Sequence, residues 1–164
     1  MIRSANISPC GLFRYWLVRS WVPERGRAVF CLHNPSIADE ERDDPTVKRV
    51  IRFTERFGKG EAIIINPFAY RTPDPKKLLE VPDPVGPENG RWQALALAEA
   101  DVVVVGWGDV HPKLVRSVDS MVESFKRVGL KLWCLGRTKG NQPKHPLARG
   151  KGFIPYGKEL EPWP

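Results

Sequence analysis

The 164-residue sequence is poor in the features that declare an activity outright. It has three cysteines, Cys10, Cys31 and Cys134, too few and too scattered for a disulfide framework. Cys31-x-His33 is half a metal site at most, because no second ligand pair stands near it. Two of the thiols fall in strand-like runs, where they act as small apolar side chains, so all three are expected to be reduced and structural. Long apolar runs are missing: the longest, Ala62 to Ile65 and Val102 to Val105, fall far below the roughly 18 residues a bilayer helix needs. The start, Met1-Ile2-Arg3-Ser4-Ala5-Asn6, has no secretory segment, and a cytoplasmic protein without membrane association is expected. Neither G-x-x-x-x-G-K-[ST] nor G-x-G-x-x-G occurs, which removes the standard triphosphate and dinucleotide fingerprints. No G-x-S-x-G elbow presents a serine nucleophile. Repeats and low-complexity tracts are absent as well.

What is present suits one domain over residues 1–164, long enough to bury a core without metal or disulfide staples. Loose termini are expected at residues 1–10 and 157–164, although Trp163 offers an anchor for the tail. The net charge is +7, and its excess is local. Arg137, Lys139, Lys144, Arg149 and Lys151 lie in one stretch without an acid. Such a cluster is either a solvated loop or a phosphate-contacting one, since clustered cations release counterions from a nucleic-acid backbone.

Aromatic and β-branched residues make Phe13 to Trp21 and Arg27 to His33 strand-like, and the intervening Pro23-Glu24-Arg25-Gly26 predicts an antiparallel hairpin between them. Asp44-Pro45 supplies a cap and a first-turn proline for a helix carrying Val47, Val50, Ile51 and Phe57, ending at Gly58. Glu61 to Asn66 and Asp101 to Trp107 are continuous apolar runs of the kind buried on both faces of a parallel sheet. Between them Arg71 to Gly90 forms a long proline-rich loop, a candidate lid, and Trp92, Leu95, Ala96 and Glu99 mark a short helix. Leu114, Val115, Val118, Met121, Val122 and Phe125 repeat at helical spacing up to Gly129, and Leu130 to Leu135 is the last central strand. The alternation predicts an α/β fold of three α/β/α layers, with four central parallel strands near Ala28 to Leu32, Ala62 to Asn66, Val102 to Trp107 and Lys131 to Leu135 and the hairpin on one edge.

Polar boxes close these runs: Asn34-Pro35-Ser36, Asn66-Pro67-Phe68, Trp107-Gly108 and His145-Pro146-Leu147. Ligands of open parallel sheets collect outside the carboxyl ends of the strands, so the boxes are placed to share a pocket. Asn34 and Asn66 each offer a donor and an acceptor, and Asn66 is suited to reading a base edge. Phe68 is a candidate stacking ring, Arg71 a phosphate or carboxylate ligand, and Trp107 a core wall or base platform. Among the crowded acids after Ser36, Asp44 has a competing task as helix cap, so Asp39 is the better candidate base. His145, held neutral by nearby cations, is a candidate donor to a developing anion.

On two levels these residues resemble known families. Arg14-Tyr15, Asn34-Pro35-Ser36-x-Ala38-Asp39, Asp44-Pro45-Thr46, Asn66-Pro67-Phe68-Ala69-Tyr70-Arg71, Trp107-Gly108 and His145-Pro146-Leu147 resemble a bacterial and phage family of unknown function over nearly the whole chain. More distantly, the order of boxes is similar to the uracil-DNA glycosylase superfamily. There a water-activating box follows the first strand, an asparagine ends a later strand and reads the pyrimidine, Trp-Gly follows a further strand, and a His-Pro box closes the site. Asn34 stands where most members have aspartate, the serines of the full histidine box are missing, and the four cysteines of the iron-sulfur branch are lacking. The resemblance implies a glycosylase-like enzyme cleaving the N-glycosidic bond of a base in DNA or a nucleotide. Catalysis would then fall to Asn34, Asp39 and His145, and substrate contacts to Ser36, Asp44, Asn66, Phe68, Arg71 and Trp107. The basic stretch would hold phosphate, with no metal or organic cofactor. A base-modifying enzyme on the same scaffold and a non-catalytic nucleic-acid or nucleotide binder remain as alternatives.

Overall fold

The computed structural model describes residues 1–164. Seven strands form one mixed sheet: β1 Ile2–Ile7, β2 Arg14–Ser20, β3 Arg27–Cys31, β4 Glu61–Ile65, β5 Val102–Val105, β6 Leu132–Cys134 and β7 Glu161–Trp163. Their spatial order is β1-β2-β4-β3-β5-β6-β7. The middle four, β4, β3, β5 and β6, run parallel, while β1 and β2 on one side and β7 on the other are antiparallel to their neighbours.

Two expectations are overturned at the edges. The segment containing β2 does not form a hairpin with β3, because β4 pairs with both and separates them. The chain reaches β3 by passing over the start of β4: Trp21 and Val22 N–H donate to the Gly60 carbonyl, and Gly60 and Glu61 N–H donate to Gly26. Only glycine fits at this crossing, since a Cβ on Gly60 would lie 1.8 Å from the Val22 carbonyl oxygen. The termini are also not loose. Residues 2–7 pair with β2, residues 161–163 pair with β6, and Trp163 packs edge-on against Trp107 at 5.9 Å.

Three helices cover the sheet. Helix α1, Pro45–Arg56, follows the Asp44 cap, whose Oδ1 accepts from Val47 N at 2.9 Å. Helix α2 is Asn89–Leu97, one turn earlier than the apolar spacing around Trp92 predicts, and α3 is Val115–Arg127. Because strand side chains alternate faces, Ala28, Phe30, Ala62, Ile64 and Val104 pack with Val47, Val50 and Phe53 of α1. Val29, Cys31, Ile63, Ile65, Val103 and Val105 pack with α2 and α3 on the other face. Each fully buried aliphatic side chain contributes about 1.5–3 kcal/mol, so this double-sided burial makes the four middle strands the rigid part of the molecule.

The chain leaves β3 towards β4 on one side and leaves β5 towards β6 on the other, so the crevice for ligands opens where these two crossovers diverge. The long loop after β4 is tied down rather than free. Ala69 and Tyr70 N–H donate to Val85 and Pro84, Leu78 is buried, and Asn89 Nδ2 donates to the Asn66 carbonyl at 2.9 Å.

Candidate functional site

Beyond the carboxyl ends of β3 and β4 lies a narrow cavity of about 50 Å³ lined by Arg14, Asn34, Ser36, Asp44, Thr46, Asn66 and His145 among others. That volume holds one or two waters. Three separated boxes of the sequence thus meet here, through Asn34, Asn66 and His145.

Asn66 is 2 % exposed, and its Oδ1 is buried with no hydrogen-bond partner. Its backbone is fixed, because Asn89 Nδ2 and Gln93 Nε2 each donate to its carbonyl at 2.9 Å. A buried amide oxygen without a partner in the protein bears a desolvation cost, and a donor on a ligand or water would relieve it. Asn34 is the opposite case. Its Nδ2 donates to the Pro35 and Thr72 carbonyls, and its Oδ1 lies 2.9 Å from His33 Nδ1. Its amide therefore shapes the wall and keeps only spare acceptor capacity.

His145 reaches the cavity because the chain after β5 is exceptionally thin. A Cβ on Gly106 would lie 2.9 Å from the Lys144 carbonyl oxygen and 3.2 Å from Pro146 Cδ. Burial, reinforced by His33 and opposed by Asp44, pushes the His145 imidazolium down to about 4. Such a ring is neutral near pH 7, and burial rather than the neighbouring lysines is the cause. Nδ1 accepts from Leu147 N at 3.1 Å, which leaves the proton on Nε2 as a donor.

Asp39 is not part of this cavity. Its Oδ1 accepts from Glu41 and Arg42 N–H at 2.9 and 2.8 Å, and those bonds hold its carboxyl below the usual range, the wrong direction for a base. It lines a separate outer groove of about 410 Å³ with Ser36 and Arg71. The carboxylate that does line the cavity is Asp44: one oxygen caps α1, and the other makes no hydrogen bond within the chain. Capping and a place in the site are compatible because a carboxylate has two oxygens.

Phe68 is fully buried and packs on the His33 ring at 5.4 Å, so it forms core rather than a free stacking surface. Trp107 is buried too, and its Nε1 donates to Gln142 Oε1 at 2.9 Å, bracing the basic loop. That loop curls around a pocket of about 370 Å³ lined by Arg137, Lys139, Lys144 and Lys151 with His145 at its border. Arg149 is exposed and does not line it. None of these four lining cations makes a salt bridge.

Two residues escaped the sequence reading. Arg14 opens β2 and lines the cavity although 3 % exposed; its signal is a charge directly before the apolar run Tyr15 to Val18. Arg49, on α1, donates through Nε to the Pro146 carbonyl at 2.8 Å and through Nη2 to that of Ile154. Its guanidinium sits 4.5–5.1 Å from the ring centres of Phe53, Phe153 and Tyr156, a clamp on the histidine box. No group of three His, Cys, Asp or Glu side chains is arranged to hold a metal ion, and Cys31 donates to Met121 Sδ at 3.6 Å.

The fold and site define a class: an α/β protein with a polar cavity at the carboxyl edge of its parallel strands and a cationic pocket beside it. A family model described as a protein of unknown function, DUF1643, matches residues 14–147, and the chain belongs to that family. The matched stretch runs from Arg14 to just beyond His145 and contains every residue lining the cavity. Comparison with curated proteins and with solved structures gives no match.

Proposed function

We propose that the protein is a glycosylase-like hydrolase that cleaves the N-glycosidic bond of a base in DNA or a nucleotide, on a uracil-DNA-glycosylase-like α/β/α scaffold. The observation that carries the proposal is the orphaned, buried Asn66 Oδ1 in one cavity with Asp44 and the Nε2–H of His145. Glycosidic hydrolysis passes through an oxocarbenium-like sugar and needs a positioned water, a group reading the base, and a donor to the departing ring. Asp44 orients the water, with Asn34 forming the wall. Asn66 accepts a ring N–H, and His145 donates to the ring as charge develops. The cationic pocket holds the adjoining phosphate, so His145 lies between base and backbone. At about 50 Å³ the cavity takes the water and the edge of a base, and the full ring requires the Ser36 to Asp43 loop to move outward. Three free thiols suit a reducing compartment, and the proposal sets this activity in the cytoplasm.

The test is release of free base from a panel of natural and modified deoxynucleotides and oligonucleotides. Hydrolysis of at least one member, lost on Asn66→Ala and His145→Ala, supports the proposal. No release, with tight salt-dependent binding retained, excludes hydrolysis over that panel and favours the non-catalytic binder. Replacing Lys139 and Lys144 together should flatten the dependence of DNA affinity on salt by about two units.

A further inference from the structure

Arg14 is the least compensated buried charge in the molecule. Its Nη1 donates to the Ala38 carbonyl at 2.8 Å, it joins no salt bridge, and its Nε is buried without a partner. Arg19, equally buried, differs: it is paired with Asp43 at 2.7 Å. Asp44 is the opposite charge that acts most on Arg14, Arg71 and Arg19 oppose it, and Asp39 adds a weaker favourable effect; burial brings the guanidinium down to about 10. A cationic group lining a narrow cavity, beside a neutral histidine, is preorganised for negative charge that appears only during reaction.

We propose that Arg14 shares with the Nε2–H of His145 the negative charge of the departing base, and that the substrates are keto bases, which present an N–H beside a ring carbonyl. This rests on the glycosidic reading above. The ring N–H meets the orphaned Asn66 Oδ1 and the carbonyl meets Arg14 Nε, so the two unpartnered atoms are satisfied by one edge. As the bond from C1′ to the base nitrogen breaks, its electron pair stays on the base and delocalises onto the carbonyl oxygen facing Arg14. Water supplies its oxygen to C1′ and its proton to Asp44, and that proton returns to the base nitrogen as the product leaves. An amino base places less charge on such an oxygen and is a poorer substrate.

The experiment compares wild type, Arg14→Lys and Arg14→Met on deoxyuridine and on derivatives bearing fluoro or nitro groups at ring carbon five, which make the base a progressively better leaving anion. Arg14→Met should slow the unsubstituted substrate by about 100-fold and the nitro substrate by less than about fivefold, with Arg14→Lys intermediate. Equal losses on all three substrates, with unchanged unfolding midpoints, overturn the assignment and leave the glycosidic reading intact. A second measurement needs no turnover. Absorbance titration of free nitrouracil should show wild type binding the anion at least about tenfold more tightly than the neutral form, and Arg14→Lys should narrow that preference. Preference for the anion without any base release would sink the hydrolase and keep the Arg14 anion site. No preference in wild type overturns the Arg14 proposal. Should Arg14→Met fail to fold, Arg14→Lys carries both comparisons.

Discussion

Asp44→Asn and Asp39→Asn form a matched pair that separates a carboxylate inside the cavity from one outside it. Asparagine is as good an N-cap as aspartate, so Asp44→Asn keeps the bond to Val47 N and leaves α1 in place. What it removes is charge. The helix N-terminus loses about 0.3–1 kcal/mol of favourable interaction, and Arg14 loses the opposite charge that acts on it most. Asp44 is partly exposed and makes no direct ion pair with Arg14, so that second loss is discounted for solvent to about 1 kcal/mol. Together these lower stability by about 1–2 kcal/mol, or some 2–8 °C in melting temperature for a chain of this size. The rate of base release should fall far more, by about 10²–10⁴-fold, the usual worth of a general base. Asp39→Asn keeps an oxygen for Glu41 and Arg42 N–H and should alter neither rate nor unfolding midpoint appreciably. Urea unfolding and single-turnover base release measure both effects. Asp39→Asn abolishing release while Asp44→Asn spares it would refute the assignment of the water-orienting role.

The histidine box gives three further expectations. The His145 pKa is lowered from 6.5 unfolded to about 4 folded, so between these values the unfolded chain binds the extra proton and stability must fall as pH drops through that window. With allowance for partial exposure the loss is about 1–2 kcal/mol, and thermal melts from neutral to acid pH should show it diminished in His145→Gln. Arg49→Ala removes two charge-assisted hydrogen bonds and three ring contacts and should cost about 3 kcal/mol in denaturant melts; Arg49→Lys should recover little, lacking the planar fork. Gly106→Ala sets a methyl 2.9 Å from the Lys144 carbonyl and should displace His145, lowering base release at least about tenfold for only about 1–3 kcal/mol of stability.

The parts of the fold visible in the sequence are those encoded locally. Val102 to Val105 and Ala62 to Ile65 read as doubly buried strands because nothing polar interrupts them, and α1 was readable from Asp44-Pro45 at one end and Gly58 at the other. The segments β1 and β7 were invisible because edge strands bury little: Ile2 is 67 % exposed, and Glu161 and Trp163 are only half-buried. The order of strands differs from the expected hairpin for another reason. Pro23-Glu24-Arg25-Gly26 does reverse the chain, but no local signal says that β4, some thirty residues later, takes the place beside β2. Site residues followed the same division. Asn66 is legible because it ends an apolar run and His145 because it stands in a Gly/Pro-rich basic loop, while Arg14, at the start of a strand, shows its role only where Leu32, Ile64 and the His145 loop close around it. The sequence suggests Asp44 as a substrate contact but prefers Asp39 as the base, because Asp44 also caps a helix. Its geometry argues the reverse: the bond to Val47 N fixes the carboxylate's orientation, and that restraint is what lets the remaining oxygen hold a water in one position rather than sample many.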